Sequence, residues 1–167
     1  MMAARQTDIV AALPRLRRLA GALCRDRSAA DDLVQDTAAQ ALSAFALFDG
    51  ANLKAWLNAI MVNRFRSDLR RFGRLPVLVA LDSLVSTGFG SAGEPELGFD
   101  IKRALLKLPE DQRIAILLLT LDGCSYAEIA AIQNVAAGTV MSRIARAREA
   151  LRLDLGDRRQ KMTRQHS

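Results

Sequence analysis

The chain has 167 residues, half of them hydrophobic, so it can bury a core as one medium domain or two small helical ones. Its 24 basic and 18 acidic residues give a net charge of +6. No apolar run approaches the roughly 20 residues that cross a bilayer, which excludes membrane insertion and predicts a cytoplasmic protein. A single histidine and two distant cysteines, Cys24 and Cys124, provide no disulfide framework, metal site or Cys/His nucleophile, so we expect neither a cofactor nor an enzyme.

The charge is concentrated at the two ends of the chain. Residues 1–72 hold 11 Lys+Arg and 7 Asp+Glu, residues 73–99 hold 1 and 3, and residues 100–167 hold 12 and 8. Two basic segments on either side of an acidic connector suggest two contacts along one polyanion, although the same balance also serves ordinary solubility. We predict an all-α fold in which two small helical domains, 1–72 and 100–167, are joined by a flexible Gly/Ser/Pro-rich linker over 73–99.

Two helices are predicted before residue 45. Apolar residues recur at helical spacing over residues 8–23. Ser28 is predicted to cap a second helix, whose first turns carry Asp31, Asp32 and Asp36. Those carboxylates favour the positive end of a helix, which explains them without any partner.

A third amphipathic helix is predicted after the turn signal at residues 49–52, and its far end is basic. Trp56 and Phe65 accompany the basic residues and could stack on unpaired bases. Alternatively, Trp56 anchors the core and the basic residues complement the helix dipole. The basic cluster consists of Arg64, Arg66, Arg70 and Arg71.

A helix-turn-helix is predicted within residues 108–151. Ser125 followed by Glu128 is the capping-box pattern of a helix start. Asn134 tolerates the left-handed conformation that the turn needs, and the second helix is predicted to begin around Gly138. An apolar stripe on that second helix should pack against the first: Val140, Ile144, Ala147 and Leu151.

The opposite face of the second helix carries Thr139, Ser142, Arg143 and Arg146. Hydroxyl and guanidinium groups on a slim helix suit the major groove of DNA, where arginine bonds two acceptors on guanine and also neutralises phosphate. The alternative is a solvated face of a helical bundle.

Taken in chain order, these motifs resemble the extracytoplasmic-function (ECF) class of bacterial sigma factors, the promoter-recognition subunits of RNA polymerase. Region 2 of that family is similar to ADDLVQDT followed by LKAWLNAIMVNRFRSDLRR. Region 4 is similar to the segment from LPEDQR to GTVMSRIARAREAL. Two matches in the same order are far more specific than an isolated helix-turn-helix.

The resemblance implies three contact surfaces. The first would dock the clamp helices of the polymerase β′ subunit, with the β subunit as a further contact, and consists of Asp31, Asp32, Val34, Gln35 and Asp36. The second would engage the minus-ten element and consists of Trp56, Asn63, Arg64, Arg70 and Arg71. The third would read the minus-thirty-five element and consists of Ser125, Thr139, Ser142, Arg143 and Arg146.

The chain departs from the family pattern at four positions. Family members commonly carry a basic residue at position 141, a glycine at 134 and a proline at 136, where this chain has Met141, Asn134 and Ala136. Met141 removes a plausible phosphate contact. Ala145 adds little bulk to the reading face, which would alter the preferred bases.

The resemblance also implies core RNA polymerase, promoter DNA and a specific anti-sigma factor as partners, and a stress or envelope regulon. Two alternatives stay open at this point. A sigma-like mimic would bind an anti-sigma factor without contacting DNA, and a plain helix-turn-helix regulator would bind duplex sites as a dimer. The sequence leaves open whether either cysteine is redox-active.

Overall fold

The computed structural model describes residues 2–72 and 95–165 of the chain, and these residues form α-helices without any strand. The all-α prediction is therefore confirmed. In chain order the helices are α1 (Met2–Leu23), α2 (Arg27–Ala44), α3 (Leu53–Phe72), α4 (Pro95–Lys107), α5 (Glu110–Thr120), α6 (Tyr126–Gln133) and α7 (Ala137–Gln165), with a 3₁₀ turn at Phe45–Leu47 after α2.

The first three helices pack consecutively, α1 on α2 and α2 on α3. Their apolar positions repeat at three- and four-residue intervals, so each helix turns one stripe inward. The deepest side chains of this group are fully buried: Ile9, Leu16, Leu19, Leu23, Leu57, Met61 and Val62.

The start of α2 differs from the prediction. Asp26, not Ser28, is the N-cap: its Oδ1 accepts a hydrogen bond from the amide of Ala29 at 2.8 Å. Aspartate caps a helix as well as serine does. The helix therefore begins at Arg27, and Ser28 lies inside its first turn.

Helices α4, α5 and α6 all pack against α7. The predicted capping box is confirmed, because the Ser125 hydroxyl accepts from the Glu128 amide and the Glu128 carboxylate accepts from the Ser125 amide. The turn at Asn134 is also confirmed, with φ 54° and ψ 52°. Of the predicted stripe, Val140, Ile144 and Ala147 are buried, and Leu151 is partly buried against the same core.

Helix α4 begins at Pro95, inside the segment predicted as linker. Proline suits this place because its fixed φ fits the first turn and its missing N–H is not needed there. The rest of the predicted linker, residues 73–94, lies outside the described residues, and the domain boundaries stay predictions.

The two groups of helices share one core. Contacts join α1 to α4 and α5, and α3 to α6. Buried residues of both groups form a single continuous cluster that includes Leu16 and Leu57 from the first group and Leu118 and Ile129 from the second. In the described ranges, no helix combines the length and the apolar character needed to cross a membrane.

Candidate nucleic-acid and polymerase interfaces

One face of α7 is exposed in the part of the chain that the structure describes. Thr139, Ser142 and Arg146 are exposed on it, opposite the buried stripe. The Ser142 hydroxyl donates to the Thr139 carbonyl at 2.9 Å, and a Cβ added at Gly138 would meet nothing within 4 Å. A polar face with open space at the start of a second helix has the geometry that enters a major groove.

Arg143 is held by contacts within the fold, and its role as a DNA contact stays a prediction. Its side chain is only 18% exposed and donates to Gln133 Oε1 at 2.5 Å and to Asp111 Oδ2 at 2.8 Å. These bonds tie α7 to α6 and α5. In this arrangement Arg143 therefore holds the helix-turn-helix together, and the sequence did not reveal it because the carboxylate lies 32 residues away.

Ser125 is exposed, but its hydroxyl is occupied at the start of α6, where it accepts from the Glu128 amide at 3.1 Å. A hydroxyl still has capacity to donate one bond. Its defined role in the fold is that of a cap.

The basic end of α3 is open to solvent. Asn63, Arg70 and Arg71 are exposed. Arg64 is half-buried and pairs with Asp36 at 2.9 Å and with Asp68 at 3.2 Å. The predicted minus-ten surface on α3 and the predicted polymerase surface on α2 are thus neighbours, joined by an ion pair.

Trp56 lies in an aromatic cluster at the start of α3. Its ring meets that of Phe45 edge-on at 5.9 Å between centroids and that of Phe48 in a tilted contact at 5.2 Å. The indole is half-buried. Such contacts fix the ring's orientation, and they favour the interpretation of Trp56 as an anchor of the fold.

The acidic face of α2 is largely accessible. Asp31, Asp32 and Gln35 are exposed and Asp36 is half-buried. Val34 is different, since it is 4% exposed and belongs to the core. A helix that shows its acidic face to solvent turns position 34 inward, and the role of Val34 in docking stays a prediction.

A polar junction joins the two groups of helices, and its residues were missed by the sequence analysis. The Asp122 side chain, in the turn between α5 and α6, is fully buried and forms an ion pair with Arg15 of α1. Asn58 of α3 donates to the same carboxylate at 2.7 Å. Lys54 donates to the Asp122 carbonyl at 2.9 Å, and Arg18 to that of Leu121 at 3.2 Å.

The junction is not fully satisfied. Asp122 Oδ1 and Arg15 Nη2 are buried and have no hydrogen-bond partner among the residues that the structure describes. No local sequence signal marks these residues, since the participants are 43 to 107 positions apart.

Two further residues make contacts across the boundary between the two groups of helices. Arg66 of α3 pairs with Asp111 at 2.6 Å and Glu110 at 3.2 Å at the start of α5. Lys102 of α4 donates to the Gly21 carbonyl near the end of α1 at 2.5 Å. Burial lowers the pKa of Lys102. The Asp111 carboxylate accepts hydrogen bonds from both Arg66 and Arg143. This one carboxylate therefore ties the helix-turn-helix to the first group of helices.

Asn52 and Glu128 connect the starts of α3 and α6. The Asn52 amide donates to Glu128 Oε1 at 2.6 Å, while its own oxygen accepts from the Ala55 amide. The hydrogen bond from the Ser125 amide is the largest cause that lowers the pKa of Glu128 below its ordinary value of 4.5.

This carboxylate should make stability depend on acid pH. Because its pKa is lower in the folded chain than in the unfolded one, its contribution is complete above about pH 4.5 and is lost as the pH falls through the lowered value. We expect Glu128→Gln to make the midpoint of urea denaturation depend less steeply on pH in that acid range. Asp49→Asn, at an exposed turn, serves as the control. Equal slopes in the wild type and Glu128→Gln would contradict the assignment.

Both cysteines are free and buried. Burial raises the pKa of Cys24 to about 12 and also raises that of Cys124. Thiols held in this neutral form are poor nucleophiles. Cys124 lies at the junction, where the Asn58 amide contacts its sulfur at 3.5 Å.

Comparison with known proteins supports the order of these elements. The family model for Sigma-70 region 2 matches residues 9–75, and that for Sigma-70, region 4 matches residues 99–151. The ECF RNA polymerase sigma factor EcfG of Rhodopseudomonas palustris (strain TIE-1) is 45% identical over 147 residues, covering 86% of this chain and 81% of that protein. The ECF RNA polymerase sigma-E factor of Escherichia coli (strain K12) is 39% identical over 134 residues, covering 72% and 70%.

Two solved structures have the same architecture. The sigma factor RpoE, in complex with the anti-sigma factor NepR from Bartonella quintana, superposes with a TM-score of 0.79 at 40% identity, covering 90% of this chain and 95% of that one. CnrH, in complex with the cytosolic domain of CnrY, gives a TM-score of 0.71 at 27% identity, covering 94% and 90%. With both sigma regions matched in order and relatives similar over most of their length, the chain belongs to the ECF sigma factors of RNA polymerase.

Proposed function

We propose that this sigma factor docks on core RNA polymerase through the acidic face of α2 and contacts promoter DNA through the basic end of α3 and the polar face of α7. One observation carries the proposal: Asn63, Arg70 and Arg71 on α3 and Ser142 and Arg146 on α7 are solvent-exposed in the same folded chain. A mimic that no longer bound DNA would not need either surface.

The two DNA surfaces suit different forms of DNA. On α3, an exposed amide beside cationic side chains fits an unstacked base and its backbone. On α7, Arg146 and the hydroxyls fit base edges of an intact duplex. Holding an extruded base stabilises the melted promoter, so the chain itself needs no bond-making residue. Polymerase performs the chemistry, and we place both proteins in the cytoplasm.

Promoter binding requires the junction at Asp122 to open. The minus-ten and minus-thirty-five elements lie about 25 base pairs apart, as their names say. At about 3.4 Å per base pair, this corresponds to about 85 Å along the duplex. A compact chain of this length has a radius of gyration of about 15 Å. The two groups of helices therefore have to separate before they reach both elements at once.

An anti-sigma factor is the partner that we propose for the closed arrangement. RpoE was solved in complex with the anti-sigma factor NepR, and CnrH was solved in complex with the cytosolic domain of CnrY. A protein that binds only the closed form would add its differential affinity to the polar contacts of the junction. It would thereby keep the two DNA surfaces too close together to reach both promoter elements at once.

Run-off transcription with core polymerase and a promoter library tests the proposal. We expect the intact chain to support initiation, Asn63→Ala to reduce open-complex formation, and Arg146→Ala to weaken upstream recognition by about 1 to 3 kcal/mol and to change the preferred bases. Arg146→Ala should also reduce the salt dependence of DNA binding if the Arg146 side chain contacts phosphate.

Arg152→Ala is the matched control for Arg146. Arg152 lies on the same helix and is 69% exposed, but it pairs with Glu149 and is far from the turn. It should change transcription little. Absence of any stimulation by the intact chain would refute docking on polymerase, and equal effects of the two arginine variants would refute the groove contact.

A further inference from the structure

Met141 stands out on the polar face of α7. Its side chain is 59% exposed, whereas its neighbour Val140 is fully buried. Ala145, one helical turn further on, is exposed as well. The two form a short apolar strip beside Ser142 and Arg146, within the face that we propose enters the groove.

An isolated exposed methionine needs no explanation by itself. The position of Met141 is what matters. It lies in the second turn of α7, which begins at Ala137, and in helix-turn-helix proteins the first turns of the second helix contact base edges. Its side chain is not part of the buried core cluster of the described residues.

Only one base presents an apolar group in the major groove, namely thymine with its C5-methyl. Methionine is unbranched and polarisable, so its thioether adapts to a small apolar target. Gly138 has no side chain and Ala145 has only a methyl group, so there is room beside Met141. A cation at this position would instead reach for phosphate, which carries no sequence information.

We propose that Met141 is a specificity-determining residue that contacts the C5-methyl of a thymine in the upstream promoter element. This inference rests on the proposed function, because it requires α7 to lie in the major groove. Met141 thereby supplies a sequence-dependent contact, and the small side chain of Ala145 leaves space beside it for the base to approach.

Deoxyuridine is the appropriate probe, since it pairs as thymine does and lacks only the methyl group. Using the full chain with core polymerase, the preferred upstream sequence is first selected from a duplex library. Each thymine in the selected element, on either strand, is then replaced singly by deoxyuridine. Competition binding is measured for the wild type, Met141→Ala and Met141→Lys.

For the wild type we expect deoxyuridine at one position to weaken binding about three- to five-fold, the scale of one methyl group removed from water. Met141→Ala should bind thymine and deoxyuridine equally at that position. Met141→Lys should also lose the discrimination and steepen the salt dependence by about one counterion.

The inference is overturned if the wild type does not distinguish thymine from deoxyuridine anywhere, if Met141→Ala keeps the discrimination, or if no thymine is selected. Arg146→Ala separates this outcome from failure of the proposed function. If Arg146→Ala changes the preferred bases while Met141→Ala leaves the thymine preference intact, only the role of Met141 is wrong. If neither variant alters base preference, the placement of α7 in the groove is wrong.

Discussion

Asp122→Ala is expected to lower the free energy of unfolding by about 3 kcal/mol, because removal of one member of a buried ion pair leaves the other uncompensated. Arg15 is 21% exposed and partly reaches water, so the loss should lie at the low end of the usual range. Asn58 also loses its acceptor. Urea denaturation measures the stability, and alkylation of Cys124, which is 1% exposed at the junction, measures opening.

Glu149→Ala is the control for a charge pair that is not buried. Glu149 and Arg152 are 56% and 69% exposed, and pairs of this kind contribute roughly 0 to 1 kcal/mol. In the Glu149→Ala variant, the alkylation rate of Cys124 should equal that in the wild type. If Asp122→Ala leaves both the midpoint and the alkylation rate unchanged, Asp122 does not hold the two groups of helices together.

Ile144→Ala is expected to destabilise the chain by about 2 to 5 kcal/mol, since it removes buried carbon atoms and leaves a cavity. Ile144 is 1% exposed on the stripe by which α7 packs on α5 and α6. The helix should lose its fixed position, and promoter binding should fall with it. Thermal unfolding followed by circular dichroism measures the effect.

The exposed neighbour Met141 provides the matched comparison. Met141→Ala changes a side chain of similar size on the same helix, yet surface substitutions are usually within about 0.5 kcal/mol of the wild type. A loss of stability from Met141→Ala as large as that from Ile144→Ala would mean that the face assigned to DNA is packed instead.

Local features were predictable from the sequence. The capping box at Ser125, the left-handed turn at Asn134 and the inward stripe of α7 depend on residues within a few positions of each other. Their signals are spacing and side-chain chemistry, which act through nearest turns of the backbone. For the same reason the acidic face of α2 and the basic end of α3 were placed correctly on helices.

Contacts between distant residues were not predictable. Arg143 was assigned to DNA from its position on α7, whereas Asp111 and Gln133 hold it inside the helix-turn-helix. Spacing gives the direction of a side chain only to within a helix face, so the burial of Val34 was not evident from the sequence. The carboxylate of Asp122 gave no signal, since its partners come together only through the fold.

The unpaired atoms at the junction have a consequence for switching. Each buried polar atom without a partner costs about 1 to 3 kcal/mol of desolvation, so Asp122 Oδ1 and Arg15 Nη2 offset part of the gain from the ion pair between them. In the proposed opening, the polar contacts of the junction therefore oppose separation of the two groups of helices less than a fully satisfied junction would. We therefore expect a macromolecule that prefers one of the two proposed arrangements to need correspondingly less differential affinity to shift the equilibrium between them.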